Sequence, residues 1–437
     1  MSISSNPAAS HVSSAMTRNI REHRLPLALR SANWLLRPVR SRLWPIGAAE
    51  LRRRAMEQVG LSNFGDLAPL EEPLEILCGS VNKEVELNAL GRLLIRNQLI
   101  QFMCWRLRLT DLAARLPELF AEPVAAPLFV AGMPRSGTTF LHRTMARDPA
   151  WHTIPHWEVV NPIPPAGVSP VFAPDPRVVA GERILSALRW AFPGVYELHD
   201  DRNDEPAEEG ALLAGGHAST NLGFGHFPTY TRWYTGADHA GGYRLFQQFL
   251  QMMQANRPPG GRWLLKCPSH LEMLRPLLTV FNDAKVVLTH RDPVSSVVSL
   301  AALDYFAFGS LIRRPDPHWF GRLAADFMER ALRSMVHYRD GEDGIANGRR
   351  FIDVAFSELV GDPIGTVRRI SLAADRQPDD AAIAAMRAYA ERPKGHRSNN
   401  RFTLNRFGLD EMELRERFKF YYERFDVPIE HGQELSA

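Results

Sequence analysis

A chain of 437 residues with 45% hydrophobic and 23% charged residues can bury a sizeable core, which fits an enzyme of one large globular domain with additions. Its net charge of +3 is too small to argue for nucleic acid as a partner, so local arginine clusters carry more information than the total. Three scattered cysteines (Cys78, Cys104, Cys267) without metal or disulfide spacing argue for a reducing compartment, and without a signal peptide or an apolar run near 18 residues the cytoplasm is expected.

Residues 1–16 are Ser/Ala-rich and are expected to be disordered, and 431–437 is read as a short tail. Across 18–54, ten arginines stand against only Glu22 and Glu50, with Leu27, Trp34, Leu35, Leu43 and Trp44 among the apolar residues interleaved. A basic segment of that make-up suits peripheral contact with an anionic membrane. Pro26, Pro38 and Pro45 interrupt any long helix, however, and favour an arm that wraps its own domain or a partner subunit in a homo-oligomer.

The basic arm and a helical extension together occupy 17–124. Within it, 88–116 has the apolar spacing of a long amphipathic helix, with a break or cap expected near Thr110 and Asp111. The main domain is expected over 125–430. Four short apolar runs, 128–131, 263–266, 285–289 and 351–355, read as strands, and each is followed by a helical pattern (138–147, 270–280, 294–303 and 362–372). That alternation predicts an α/β fold with a P-loop-type parallel sheet flanked by helices. Between the first strand unit and the second lies an insertion, 151–259, with helices expected at 179–191, 208–222 and 242–256. Ligands bind beyond the carboxyl ends of strands in open α/β sheets, so this insertion is expected on the substrate side. A last amphipathic helix is expected over 410–425.

The segment that carries chemistry is Gly132-Met-Pro-Arg135-Ser136-Gly137-Thr138-Thr139, set between a strand and a helix. Successive backbone N–H groups at such a turn make an anion cradle. The two glycines have Walker A spacing, but Thr138 stands where the lysine of that motif belongs. A nucleoside triphosphatase relies on that lysine and on Mg²⁺ to neutralise the group transferred. A sulfuryl group carries less charge and can be held without metal, by Arg135 as a fixed cation and by the donors of Ser136, Gly137, Thr138 and Thr139.

This loop resembles the 5′-phosphosulfate loop of the sulfotransferase superfamily, whose donor is 3′-phosphoadenosine 5′-phosphosulfate (PAPS). The form Pro-Arg-Ser-Gly-Thr-Thr, with Leu141 and Asp148-Pro149 after it, is similar to the branch of bacterial and tyrosylprotein sulfotransferases. The resemblance covers about 125–430 and implies PAPS as co-substrate with no metal required. It also implies that Arg291, at the end of the third strand run, and Ser299, eight residues on, hold the 3′-phosphate. A basic late loop closes over that phosphate in many members, which makes Lys394 and Arg397 candidates here.

Lys266 ends an apolar strand run, a poor position for a surface role, and its pairing with Pro268 resembles the lysine that assists the reacting phosphosulfate. Two residues compete for the general base. Glu158 stands about where the family's catalytic glutamate follows the loop, and His270 lies four residues beyond Lys266, where cytosolic members place a histidine at two. The acidic run at 197–209 reads as a solvated loop, with Glu205 and Glu208 the residues to watch. Aromatic residues of the insertion, Trp157, Tyr196, Phe227 and Tyr230 among them, suit either a pocket for a small-molecule or lipid-like acceptor or plain core. The expected activity is sulfuryl transfer to a hydroxyl or amine. The alternatives are a P-loop kinase or nucleotidase with a degenerate Walker motif, and a non-catalytic PAPS-binding relative.

Overall fold

The apolar runs that alternate with helices form strands, and all of them are parallel. In the computed structural model, which describes residues 25–66, 68–164, 175–198, 201–217, 219, 226–392 and 402–430, the strands are β1 (Leu128–Gly132), β2 (Trp151–His152), β3 (Arg262–Lys266), β4 (Lys285–His290) and β5 (Phe351–Ala355). They make one sheet in the order β2-β3-β1-β4-β5. The N-terminus expected to be disordered, the tail at 431–437 and the late-loop candidates Lys394 and Arg397 lie outside the described residues. β2 was not foreseen, because two residues carry no periodicity; it joins the edge through pairs Trp151–Arg262 and His152–Trp263.

Side chains alternate across the strands, so one sheet builds two cores. Phe129, Ala131, Leu265, Val286 and Leu288 enter the larger cluster, which also holds the N-terminal helices. Leu128, Val130, Leu264, Val287, Ile352 and Val354 enter the smaller one on the other face. The register decides the site. Val130 pairs with Lys266 and Gly132 with Thr289, so the carboxyl ends of three neighbouring strands bring Gly132, Lys266 and Thr289 together.

The prolines act as expected at the start. Pro26 precedes α1 (Leu27–Leu36), Pro38 separates it from α2 (Arg40–Leu43), and Pro45 follows α2. α3 (Ala48–Val59) and α4 (Ala68–Lys83) come next, then α5 (Ala89–Arg115). Asn88 caps α5 by accepting from Gly91 N at 2.8 Å. No break occurs at Thr110 and Asp111: Asp111 pairs with Arg115 one turn on, at 2.8 Å, instead of capping a new helix. The described part of the arm wraps its own domain, with Asn33 Oδ1 accepting from Leu90 N and with Trp44 O and Pro45 O accepting from Arg92 and Arg96.

Beyond the cradle helix α6 (Thr138–Met145), three expectations change. Of the helix expected at 208–222, the described helical part is Gly210–Gly215. The final helix is two, Glu411–Arg417 and Lys419–Phe425, because Phe418 turns fully into the core between them. The helix Pro293–Ala307, with the turn after it, is long and apolar enough to cross a membrane, but 72% of that stretch is buried, as befits a core helix.

Two histidines are folded away without charge. Burial pushes His142 down to about 3, with Lys266 adding repulsion, and burial pushes His217 down to about 3 as well. The unfolded chain binds their protons near pH 6.5 and the folded chain does not, so stability falls as pH drops below about 6.5. We expect each to cost about 2 kcal/mol between pH 7 and pH 5, read from urea unfolding at the two values. His142→Gln should flatten that slope, and an unchanged slope would show that His142 does not cause it.

Candidate active site

At the end of β1 the chain needs to turn tightly and enter α6. A Cβ added at Gly132 would lie 1.9 Å from Thr289 Oγ1, so glycine is required there by close approach. Gly137 has φ +86 and caps α6, and Arg135 has φ +70, a left-handed conformation rare for a residue with a side chain. The loop is tied internally: Ser136 Oγ donates to Met133 O at 2.6 Å and shares a 2.5 Å hydrogen bond with Thr289 Oγ1. The Ser136 hydroxyl is thereby occupied within the loop. The first N–H groups of α6, which have no acceptor within the helix, remain directed outward.

A cavity of about 560 Å³ opens over this loop. Pro134, Arg135, Gly137, Thr138 and Thr139 line one side, and Arg291 and Phe356 lie beside them. Arg135 and Arg291 sit close enough that burial and then their mutual repulsion lower the Arg135 pKa. Lys266 is fully buried, and its Nζ donates to Thr139 Oγ1 at 3.2 Å while ion-pairing with Glu208, which also lines the cavity. Ser299 is buried two turns into the Pro293–Ala307 helix. Farther along that helix Leu300, Leu303 and Asp304 face the same cavity. There His226 Nε2 donates to Asp304 Oδ2 at 3.1 Å within a wall that includes Leu198 and Phe327.

Neither sequence candidate for the base lines this cavity. Glu158 is buried in the first turn of a short helix, ion-paired with Arg257 and 3.7 Å from Arg177 Nη2, so it neutralises two arginines in the protein interior. His270 is fully buried in a one-turn 3₁₀ segment rather than an α-helix. Its Nε2 donates to Glu209 Oε1 at 2.8 Å, and Tyr243 OH donates to its Nδ1 at 2.7 Å. Glu209 also accepts from Lys266 N at 3.0 Å, so the pair braces the end of β3.

In the acidic run Glu197 and Asp204 are exposed, as a solvated segment would have them, but Glu205, Glu208 and Glu209 are not. Glu205 ion-pairs with Arg147, Glu208 with Lys266, and Glu209 with His270. An antiparallel bridge between Pro155 and Pro206, supported by Ala207 N donating to Ile154 O at 2.9 Å, holds the segment that carries these carboxylates. The sequence marked Glu205 and Glu208 as the residues to watch in this run, but spacing could not show that Arg147 and Lys266 would be their partners. Of the insertion's aromatics, Phe227 and Tyr230 are core.

A family model described as a sulfotransferase family matches residues 127–380, more than half of the chain. The sulfotransferase STF9 of Mycobacterium avium is similar in structure, with a TM-score of 0.76, 28% identity, and coverage of 88% of this chain and 98% of that one. The sulfotransferase STF1 of Mycobacterium tuberculosis H37Rv gives 0.74 and 28%, covering 85% and 98%. A comparison with curated protein sequences finds no match. A phosphate cradle without the Walker lysine, a buried lysine beside it and a family match spanning both make this chain a member of the sulfotransferase family, an enzyme of sulfuryl transfer.

Proposed function

We propose that the donor is PAPS and that Glu208 is the general base. The observation that carries this reading is the contact chain from the cradle hydroxyl of Thr139 through Lys266 Nζ to Glu208, at the rim of one cavity that also reaches Arg291. The residues at the cavity fit the donor, with outward N–H groups at α6 and Arg135 for the 5′ side and Arg291 for the 3′-phosphate. Ser299, buried in the next helix and outside the cavity lining, stays in the proposal as a partner of Arg291. Lys394 and Arg397 stay in the proposal as a cover for the 3′ side. When bound, PAPS supplies an electrophilic sulfuryl group on a phosphate leaving group.

Glu208 takes the proton of an acceptor hydroxyl or amine as the new bond to sulfur forms. Lys266 and Arg135 balance the charge that gathers on the sulfuryl oxygens and on the bridging oxygen as its bond to sulfur breaks. Glu158 and His270 have structural roles in this scheme. The leucines around His226 and Asp304 suit an acceptor with an apolar body and a polar group, small or lipid-like. The test is transfer of label from ³⁵S-PAPS to a library of phenols, alcohols and amines. Product that forms without added metal supports the reading. Tight bisphosphate binding without transfer to any acceptor favours the binding-protein alternative.

The same reading extends to location, in the cytoplasm and against an anionic membrane through residues 18–54. Leu27 is 75% exposed, Trp34 74% and Leu35 64%, in a stretch that carries arginines and has no acidic residue from 25 to 49. Sedimentation with phosphatidylserine vesicles should fall at least about threefold for Trp34→Ala/Leu35→Ala. Equal sedimentation, or a change from dimer to monomer in light scattering, would count against the membrane and for a subunit contact.

A further inference from the structure

Arg291, assigned above to the donor's 3′-phosphate, already holds an anion from its own chain. Its Nε donates to Glu430 Oε1 at 2.8 Å and its Nη2 to Glu430 Oε2 at 3.0 Å, the two parallel bonds of an arginine–carboxylate fork. Ser295 Oγ, from the first turn of the following helix, donates to Glu430 Oε2 at 3.0 Å. The third guanidinium nitrogen donates to Arg135 O at 2.7 Å, and the ring of Phe356 lies 4.2 Å from the guanidinium carbon. An arginine fork plus a serine hydroxyl at a helix start is the donor set a phosphate monoester uses.

Glu430 is placed there by its backbone. Its N–H donates to Asp292 Oδ2 at 2.9 Å. Asp292 in turn caps the Pro293–Ala307 helix and accepts from Tyr422 OH at 2.5 Å and Arg415 Nη1 at 3.3 Å. The side chain, unlike that anchor, reaches a partly open place: Glu430 is 28% and Arg291 20% exposed. An incoming anion can therefore exchange with the carboxylate while the backbone contact stays.

We infer that Glu430 is a built-in occupant of the 3′-phosphate subsite, displaced by any nucleotide whose 3′-phosphate binds Arg291. The inference rests on the donor reading above and adds a specificity rule to it. While Glu430 holds Arg291, free inorganic phosphate meets a neutralised guanidinium. A nucleotide also anchored at the 5′ cradle presents its 3′-phosphate at high local concentration and wins the exchange. The apparent affinity of every 3′-phosphorylated nucleotide is lowered by the fraction of chains with Glu430 engaged. That tax falls on the spent bisphosphate as on the donor, which favours product release.

Calorimetric titration of the full chain, Glu430→Gln and Glu430→Ala with 3′,5′-bisphosphoadenosine, 3′-AMP and 5′-AMP tests this. Both 3′-phosphorylated ligands should bind Glu430→Ala about tenfold more tightly than the unmodified chain, and Glu430→Gln by a smaller factor. 5′-AMP should change by less than about twofold, since it makes no demand on Arg291. Glutamine keeps the shape of the side chain and guards against an effect of misfolding. Equal bisphosphate affinity in all three proteins overturns the inference, and so does a matching gain for 5′-AMP, which would mean general loosening. Failure of all three proteins to bind the bisphosphate removes the donor reading itself, and this inference with it.

Discussion

Glu208→Gln should lower the turnover of labelled PAPS by about 10²–10⁴-fold, the range for loss of a general base. The amide keeps a hydrogen-bond acceptor beside Lys266 Nζ, so the buried ammonium loses its counter-charge but keeps a partner. Bisphosphate binding should therefore be unchanged or tighter, because the freed charge of Lys266 attracts the ligand. That combination separates catalysis from donor binding. Glu158→Gln provides the contrast: it strips one charge from a buried cluster with Arg257 and Arg177, and should lower stability with little effect on turnover per folded molecule. A large turnover loss in Glu158→Gln with Glu208→Gln near normal would return the base to Glu158.

The second large effect is expected at Gly132. An alanine Cβ would sit 1.9 Å from Thr289 Oγ1, 2.8 Å from Thr138 Cγ2 and 2.9 Å from Ser136 Oγ, all parts of the cradle. To make room, Thr289 has to move and its hydrogen bond with Ser136 has to break. Overpacking of this kind costs about 1–3 kcal/mol. Because the displaced groups shape the anion site, bisphosphate affinity should fall at least about tenfold, or ~1.4 kcal/mol. Thr289→Ala removes the nearest clashing atom, so the double variant Gly132→Ala/Thr289→Ala should lose less than the two single losses together. Additive losses in the cycle would show that the clash with Thr289 is not the cause.

The fold, and the strand-end positions of the residues proposed for the donor, were legible because both are written in local pattern. Short apolar runs between helical patterns gave β1, β3, β4 and β5, and Gly132 with Gly137 marked the turn. Lys266 and Arg291 sit at strand ends, where topology alone directs them to the ligand side. The base proposed here, Glu208, was not singled out for that role, because its place depends on contacts distant in sequence. Glu208 meets Lys266, 58 residues away, from a segment that the Pro155–Pro206 bridge holds in place. Glu158 stands at a suggestive interval after the cradle, yet Arg257, 99 residues on, takes its carboxylate. The same reason hid Glu430, which meets Arg291 across 139 residues. Spacing reports neighbours along the chain; ion pairs closed by the fold leave no such trace.

The claim on which the rest depends is that the cradle and Arg291 form a bisphosphate site rather than a triphosphate site. Calorimetric titration of the full chain with 3′,5′-bisphosphoadenosine and with ATP, each with and without Mg²⁺, tests it most directly. The expected result is micromolar or tighter binding of the bisphosphate, on the order of −8 kcal/mol, that is independent of Mg²⁺ and lost in Arg291→Ala. Binding of ATP that requires Mg²⁺, with none of the bisphosphate, would contradict it.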